Sequence, residues 1–218
     1  MRDFLNYDGP LFAFLSKVAD IIILSLLWLL CSLPIFTIGA STTACYYVFT
    51  KAVTGKSYYV VKDFFLQFKV NFIKATIIQL ILFLVISISG LSIYSSYLLG
   101  LFDKYYGIVL IVIQIFFMFE IIIVTIYAFP VLSRFELKVI ETFKTALALG
   151  NGHLLSTVEL ILLHVVLTYV TYRFFIFSMI YIGTYAFISS YIFVKIFRKH
   201  RPDFDEIINY DDYNNIIN

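Results

Sequence analysis

The sequence predicts an all-α integral membrane protein: a polytopic helical bundle with five to six transmembrane helices, six preferred, plus two cytoplasmic amphipathic interfacial helices. Of the 218 residues, 61% are hydrophobic and only 14% are charged, against about 45–50% and about 25% in soluble domains. The mean hydropathy is +0.94. Segments 75–102 and 174–194 contain no acidic or basic side chain apart from tyrosine. Each is as long as the roughly 20 apolar residues that a helix needs to cross the hydrocarbon layer.

The first apolar run, 21–38, is interpreted as a retained helix and not as a cleaved signal peptide. Acidic residues precede the run and no small-residue cleavage pattern follows it. A lipoprotein site at Cys31 is excluded because Leu30 stands where a small residue is required. We predict the first membrane helix over about 18–33, with Pro34 ending it.

Segment 37–53 decides how many times the chain crosses the membrane. It begins with small residues and continues with aromatic ones, and small residues let helices pack closely in lipid. A short crossing, a re-entrant segment and an interfacial helix all fit this pattern. If the segment crosses, there are six helices and both termini lie on the same side. If it does not, there are five and the N-terminus is external.

Two polar but patterned stretches predict the interfacial helices. In 57–70, Phe64, Phe65 and Phe68 recur at helical spacing while lysines fall largely elsewhere. Segment 134–148 combines apolar and basic residues in the same way. Basic amphipathic helices of this kind lie at the membrane surface.

The remaining apolar segments complete a single membrane domain, 1–200. A tyrosine cluster flanks the connection at 100–104, as expected at a membrane–water interface. Residues 201–218 are predicted to form a mobile charged tail. The further membrane helices are predicted at 75–98, 105–129, 154–172 and 174–194.

The distribution of basic residues predicts the orientation. Most lysines and arginines fall in the connections 51–74 and 134–144 and at the start of the tail, whereas the intervening loops carry only Lys104 and Arg173. Cytoplasmic connections carry the excess of lysine and arginine. We therefore expect a multi-pass protein of the cell membrane with both termini cytoplasmic.

Ionisable side chains within membrane segments are costly and suggest a function. Glu120, Glu159 and His164 fall in predicted membrane helices, and together with Gln79 they would form an intramembrane polar cluster. The cluster would either line a substrate or proton pathway or form a buried hydrogen-bonded set that fixes helix packing. We favour the second interpretation.

No catalytic signature is visible. The sequence lacks a histidine pair at metal-ligand spacing, a GxxxxGKS phosphate loop and a GxSxG nucleophile elbow. We predict a non-enzymatic protein with no catalytic residues, no metal site, no cofactor and no nucleic-acid partner. The lipid bilayer is the one partner that composition itself predicts.

Motif blocks in the N-terminal third closely resemble the YesL-like membrane proteins. The resemblance implies a bacterial, mainly Gram-positive, family of unknown function. Its members look like accessory proteins of carbohydrate uptake and are often encoded beside sugar ABC transporters. It supplies no catalytic residue. The blocks are SKVAD at 16–20, LLWLLCSLP at 26–34, TIGASTTA at 37–44, and the pairs and triplets at 46–47, 63–65, 68–69 and 71–72.

The first functional hypothesis is therefore a non-enzymatic accessory to oligosaccharide uptake by an ABC transporter, acting through helix contacts with its subunits. One alternative is a small homo-oligomeric secondary transporter with Glu120 or His164 in the path. Another is an ABC permease-like subunit. The permease reading is disfavoured because Leu147 stands where the glycine of the permeases' cytoplasmic helix would be.

Overall fold

A computed structural model describes residues 10–101, 105–201 and 204. Regular structure in these residues is entirely helical. Most of the predicted tail, 201–218, lies outside the described residues. The helices are α1 (Pro10–Cys31), α2 (Ile38–Val53), α3 (Val60–Leu98), α4 (Gly107–Arg134), α5 (Val139–Gly152), α6 (Leu154–Arg173) and α7 (Tyr181–His200), with 3-10 turns at Ile35–Thr37 and Phe175–Met179.

Four helices in the described part are long and apolar enough to cross a membrane: α1, α3, α4 and α6. The predicted class, a helical membrane protein, is confirmed. The remaining two predicted crossings, α2 and α7, do not meet this criterion. α2 has 16 residues, about 24 Å at about 1.5 Å per residue, which is less than the roughly 30 Å hydrocarbon core. The predicted crossing 174–194 is divided: a 3-10 turn occupies Phe175–Met179, and α7 begins only at Tyr181, so that its last turn includes Arg198, Lys199 and His200.

α2 is the central helix of the bundle. Apart from Thr42, every residue from Gly39 to Lys51 is buried, and the helix contacts α1, α3, α4 and α7. The small residues at its start permit this burial. A Cβ added at Gly39 would lie 2.7 Å from both the Ala75 carbonyl oxygen and the Phe129 ring. The segment that sequence left ambiguous is therefore a helix enclosed by protein.

α1 and α2 form an antiparallel hairpin. Trp28 Nε1 donates to Thr42 Oγ1 at 2.9 Å, joining the two helices near the turn. The Thr37 hydroxyl lies 2.6 Å from the carbonyl oxygens of both Cys31 and Pro34. It thereby gives the Cys31 carbonyl, at the end of α1, a partner that the helix itself does not supply.

α3 corrects one sequence prediction. The expected interfacial helix at 57–70 and the membrane helix at 75–98 are one continuous helix of 39 residues. Its length is about 58 Å at about 1.5 Å per residue, roughly twice the hydrocarbon thickness. The reason is local: residues 71–74 contain neither glycine nor proline, and a change from polar to apolar composition does not end a helix.

α4 and α5 also differ from the predicted bounds. Pro130 was expected to end the fourth element at Phe129, but α4 continues to Arg134. A proline costs a helix one backbone hydrogen bond, a loss that neighbouring groups offset in packed membrane helices. α5 then begins at Val139, five residues later than the predicted 134–148 stretch, and ends at Gly152.

The helices pack tightly at one end of the bundle and expose apolar side chains at the other. Buried residues of α3 end at Leu82, apart from Ser96, and those of α4 begin at Ile121, apart from Gly107. α6 buries only Thr157 and Leu160. The exposed apolar faces between these limits are the surfaces available to lipid or to other membrane helices.

Candidate functional site

The four predicted polar residues lie on three helices: Gln79 on α3, Glu120 on α4, and Glu159 and His164 on α6. Within the described part of the chain, no hydrogen bond or ion pair joins any two of them. The side chains of Glu120 and His164 form hydrogen bonds, but with residues outside the predicted cluster. Asn151 Nδ2 donates to Glu120 Oε2 at 2.9 Å.

His164 belongs to a separate local group. Its Nδ1 lies 2.7 Å from the Tyr181 hydroxyl, and Thr168 Oγ1 lies 3.2 Å from the same hydroxyl. These contacts join α6 to the start of α7. They account for His164 through helix packing without involving Glu120 or Gln79.

A deeply buried charged pair lies where α2 meets α3. Lys51 Nζ is 3.6 Å from Asp63 Oδ2, and the two side chains are only 7% and 1% exposed. Asp63 Oδ2 also accepts the backbone N–H of Tyr59 at 3.2 Å, which caps the start of α3. Because a buried charge is tolerated only when paired, each side chain fixes the position of the other.

Tyr47 links this pair to α4. The Arg134 guanidinium carbon lies 4.3 Å from the Tyr47 ring centroid, and Lys51 Nζ lies 5.1 Å from it. An Arg134 N–H also donates to the Tyr47 carbonyl oxygen. Cation–π contacts of this kind are strongest when desolvated, and Tyr47 is buried. The ring therefore holds two cations in fixed positions.

A small polar cavity of about 220 Å³ lies beside this cluster, between α3 and the end of α4. Asn71 Nδ2 donates to Gln67 Oε1 at 2.8 Å within its wall. This contact is between helix neighbours four residues apart, which face the same side. The cavity is lined by Tyr47, Gln67, Val70, Asn71, Lys74, Leu132, Ser133, Arg134, Phe135 and Glu136.

Asp20 differs from the acidic residues above because its partner is a tyrosine. The Tyr58 hydroxyl donates to Asp20 Oδ2 at 2.5 Å. Burial, reinforced by the neighbouring carboxylate, raises the pKa of Tyr58, so the phenol remains a neutral donor. The bond joins the connection after α2 to the first half of α1.

Sequence reasoning did not identify the Lys51–Asp63–Tyr47–Arg134 cluster. The lysines of 51–74 were used for orientation, and Asp63 was considered as the first residue of the motif block at 63–65. One signal was available: Asp63 is the only acidic residue between positions 51 and 74. A single acid within a strongly basic stretch indicates a specific partner. Among the described residues, no group of three His, Cys, Asp or Glu side chains is arranged to hold a metal.

Comparison with known proteins bears on the part of the chain that contributes most of this cluster. Residues 21–93 match the family model described as "Protein of unknown function, DUF624", the family to which YesL-like proteins belong. These residues are therefore similar to a DUF624 domain. The family resemblance of the N-terminal third is thus confirmed. No curated protein and no solved structure matches the chain.

The DUF624 segment and the rest of the chain contribute different parts of the site. Tyr47, Lys51 and Asp63 lie within 21–93. Arg134 lies outside it, at the end of α4. The matched segment therefore provides the central helix α2 and one wall of the cavity, and α4 provides the facing wall.

Proposed function

We propose that this protein is a non-enzymatic integral membrane protein that assists oligosaccharide uptake by an ABC transporter. In this proposal it acts by packing against the membrane subunits of that transporter. The family resemblance suggests the carbohydrate context. The observation that supports packing against another subunit is that most side chains of α6 are not buried within its own chain.

α6 has 20 residues, and only Thr157 and Leu160 are buried. Leu155, Leu162 and Val166 are among its exposed large apolar side chains. Helices associate in lipid through close van der Waals packing and interhelical hydrogen bonds. A long apolar helix that makes few contacts within its own chain is therefore a suitable surface for a helix of another subunit.

The arrangement of polar residues favours this role over a secondary transporter. A carrier needs polar side chains that share one path through the membrane. Here Glu120 bonds to Asn151 and His164 bonds to Tyr181. Four cavities in the described part of the chain are lined by other residues and not by Glu120, Glu159 or His164. The homo-oligomeric carrier remains the alternative hypothesis because the His164 group lies on an exposed part of α6.

In the proposed topology α2 crosses within the protein together with the 3-10 turn Ile35–Thr37 before it, whose three residues add about 6 Å at about 2 Å per residue. The topology therefore has six crossings, with both termini on the cytoplasmic side of the cell membrane. Two contacts support it. Tyr58, after α2, bonds to Asp20 in the first half of α1. Phe135, after α4, packs against Phe197 near the end of α7, with ring centroids 5.1 Å apart. The first contact places the basic connection after α2 beside the N-terminal half of α1. The second places the basic connection after α4 beside the C-terminal end of α7. Both basic connections therefore lie on the same side of the bundle as a chain terminus.

Purification of the tagged full-length protein in mild detergent, followed by mass spectrometry, tests the proposal. We expect ABC transporter membrane subunits to co-purify. Substitution of both Leu162 and Val166 by alanine should reduce their yield, because it removes packing surface four residues apart on α6. Ile140→Ala on α5, also at an exposed site, is the matched control. A homodimer free of transporter subunits would favour the carrier alternative.

A further inference from the structure

We propose that the cavity between α3 and α4 binds the phosphodiester headgroup of a membrane phospholipid. The lipid belongs to the leaflet on the side of the basic connections. The inference does not depend on the proposed role in sugar uptake. It rests on the position of the cavity, the donors in its wall, its size and the apolar surface beside it.

The cavity lies where the apolar parts of two helices end. Lys74 immediately precedes the apolar segment 75–102, and Arg134 is the last residue of α4. Both line the cavity. Cations at the ends of membrane segments lie at the level of the lipid phosphates, and basic pockets between membrane helices bind anionic headgroups.

The wall offers donors suited to a phosphate oxygen. Arg134 is held by the Tyr47 ring and carbonyl, and its planar group matches phosphate geometry. Lys74 makes no ion pair among the described residues and adds a second positive charge. Glu136, the one acid in the lining, is exposed at the rim. The two cations outnumber the one acid, so the charge of the lining favours an anion.

The size of the cavity excludes an oligosaccharide. Pockets for drug-sized ligands measure about 300–1,000 Å³, whereas this cavity measures about 220 Å³. A single headgroup is a better match. The faces of the Tyr47 ring, on which a sugar would stack, are already contacted by Arg134 and Lys51.

An apolar stripe on α3 indicates that the phosphate is part of a lipid. Val70 lines the cavity, and exposed apolar side chains continue along the same helix at intervals of three or four residues. Such spacing places them on one face, where acyl chains attached to a bound headgroup would lie. Free phosphate has no apolar part that could contact this surface. The stripe consists of Val70, Ile73, Ile77, Leu80 and Leu84.

The test uses the full-length protein, delipidated in detergent, with dioleoyl phosphatidylglycerol as the probe and native mass spectrometry as the measurement. We expect binding that Lys74→Gln weakens about fivefold, the value that corresponds to about 1 kcal/mol for one cation near the surface. Lys74→Arg, which keeps the charge, should bind normally. Lys69→Gln, an exposed site on the same helix outside the cavity, is the matched control.

Two further probes separate the sources of binding. Dioleoylglycerol has the same chains without the phosphate and should not bind. Inorganic phosphate should raise the melting temperature less than phosphatidylglycerol does at the same concentration. Equal binding of dioleoylglycerol, or an equal effect of Lys74→Gln and Lys69→Gln, overturns the proposal. Stabilisation by phosphate as strong as that by the lipid would also overturn it, and would assign the cavity to a free anion.

Discussion

At the scale of single residues, the stability of the packed end of the bundle depends on the Lys51–Asp63 pair. Asp63 Oδ1 is buried without a hydrogen-bond partner, so the carboxylate depends on Lys51 and on the Tyr59 N–H. Lys51→Met should lower the free energy of unfolding by about 3–5 kcal/mol, the usual cost of removing one partner of a buried pair. Thermal unfolding in detergent measures the loss.

The double variant Lys51→Met/Asp63→Leu separates a pairing effect from a general loss of packing. Replacing both partners with apolar residues leaves no charge stranded and is often close to neutral. The double variant should therefore be more stable than Lys51→Met alone. Equal or lower stability of the double variant would contradict the pairing explanation.

Glu120 separates the structural from the transport hypothesis. The carboxylate accepts a hydrogen bond from Asn151, and a glutamine oxygen accepts the same bond. Glu120→Gln should therefore leave both melting temperature and sugar uptake nearly unchanged, while Glu120→Leu, which removes the acceptor, should lower the melting temperature modestly. Uptake into cells and unfolding in detergent are the two measurements. A stable Gln variant that has lost pH-dependent uptake would instead identify a carrier.

At the scale of elements, the close approach of α2 to α3 and α4 depends on Gly39. An alanine Cβ there would meet backbone of α3 and the Phe129 ring at 2.7 Å, and overpacking of this kind costs about 1–3 kcal/mol. Gly39→Ala should lower the melting temperature. Gly90→Ala is the matched control because nothing lies within 4 Å of its added Cβ and alanine favours a helix. It should leave the melting temperature unchanged or raise it.

The helix bounds show which elements sequence determines by itself. Pro34 marks a real helix end: α1 ends at Cys31, three residues before it, because proline lacks the N–H that would continue the helix. The predicted break within 71–74 was wrong because it rested on a polarity change alone. Pro130 does not end α4, although the sequence predicted that it would. The residues on both sides of it in α4 are buried, and these tertiary contacts override the local preference of proline.

At the scale of the whole molecule, composition was sufficient to predict a helical membrane protein, but it could not predict which helix lies at the centre. α2 is among the less apolar helices, yet it is the most enclosed, because its small residues and not its hydropathy decide how closely neighbours approach. The buried cluster escaped prediction for a related reason. Its members, Tyr47, Asp63 and Arg134, are far apart in sequence and meet only once α2, α3 and α4 are packed together.

The last prediction concerns topology and follows from the contact between Tyr58 and Asp20. That contact brings the end of α2 back to the starting side of α1, so α1 and α2 together should return the chain to one side of the membrane. In a variant with Cys31 and Cys45 replaced by alanine, cysteines are introduced singly at Asn6, Lys56 and Tyr105. A membrane-impermeant maleimide on intact cells should label the cysteine at position 105, beside the α3–α4 turn, where Tyr105 is fully exposed.

The cysteines at 6 and 56 should react only after the cells are permeabilised, because basic connections stay cytoplasmic. Labelling at 6 but not at 56 would mean that α1 alone crosses, which gives five helices and an external N-terminus. Labelling at 56 in intact cells would reverse the proposed orientation, since it would place the most lysine-rich connection outside. Protection of both sites, with labelling at 105, is the pattern that the α1–α2 hairpin and the distribution of charge jointly require.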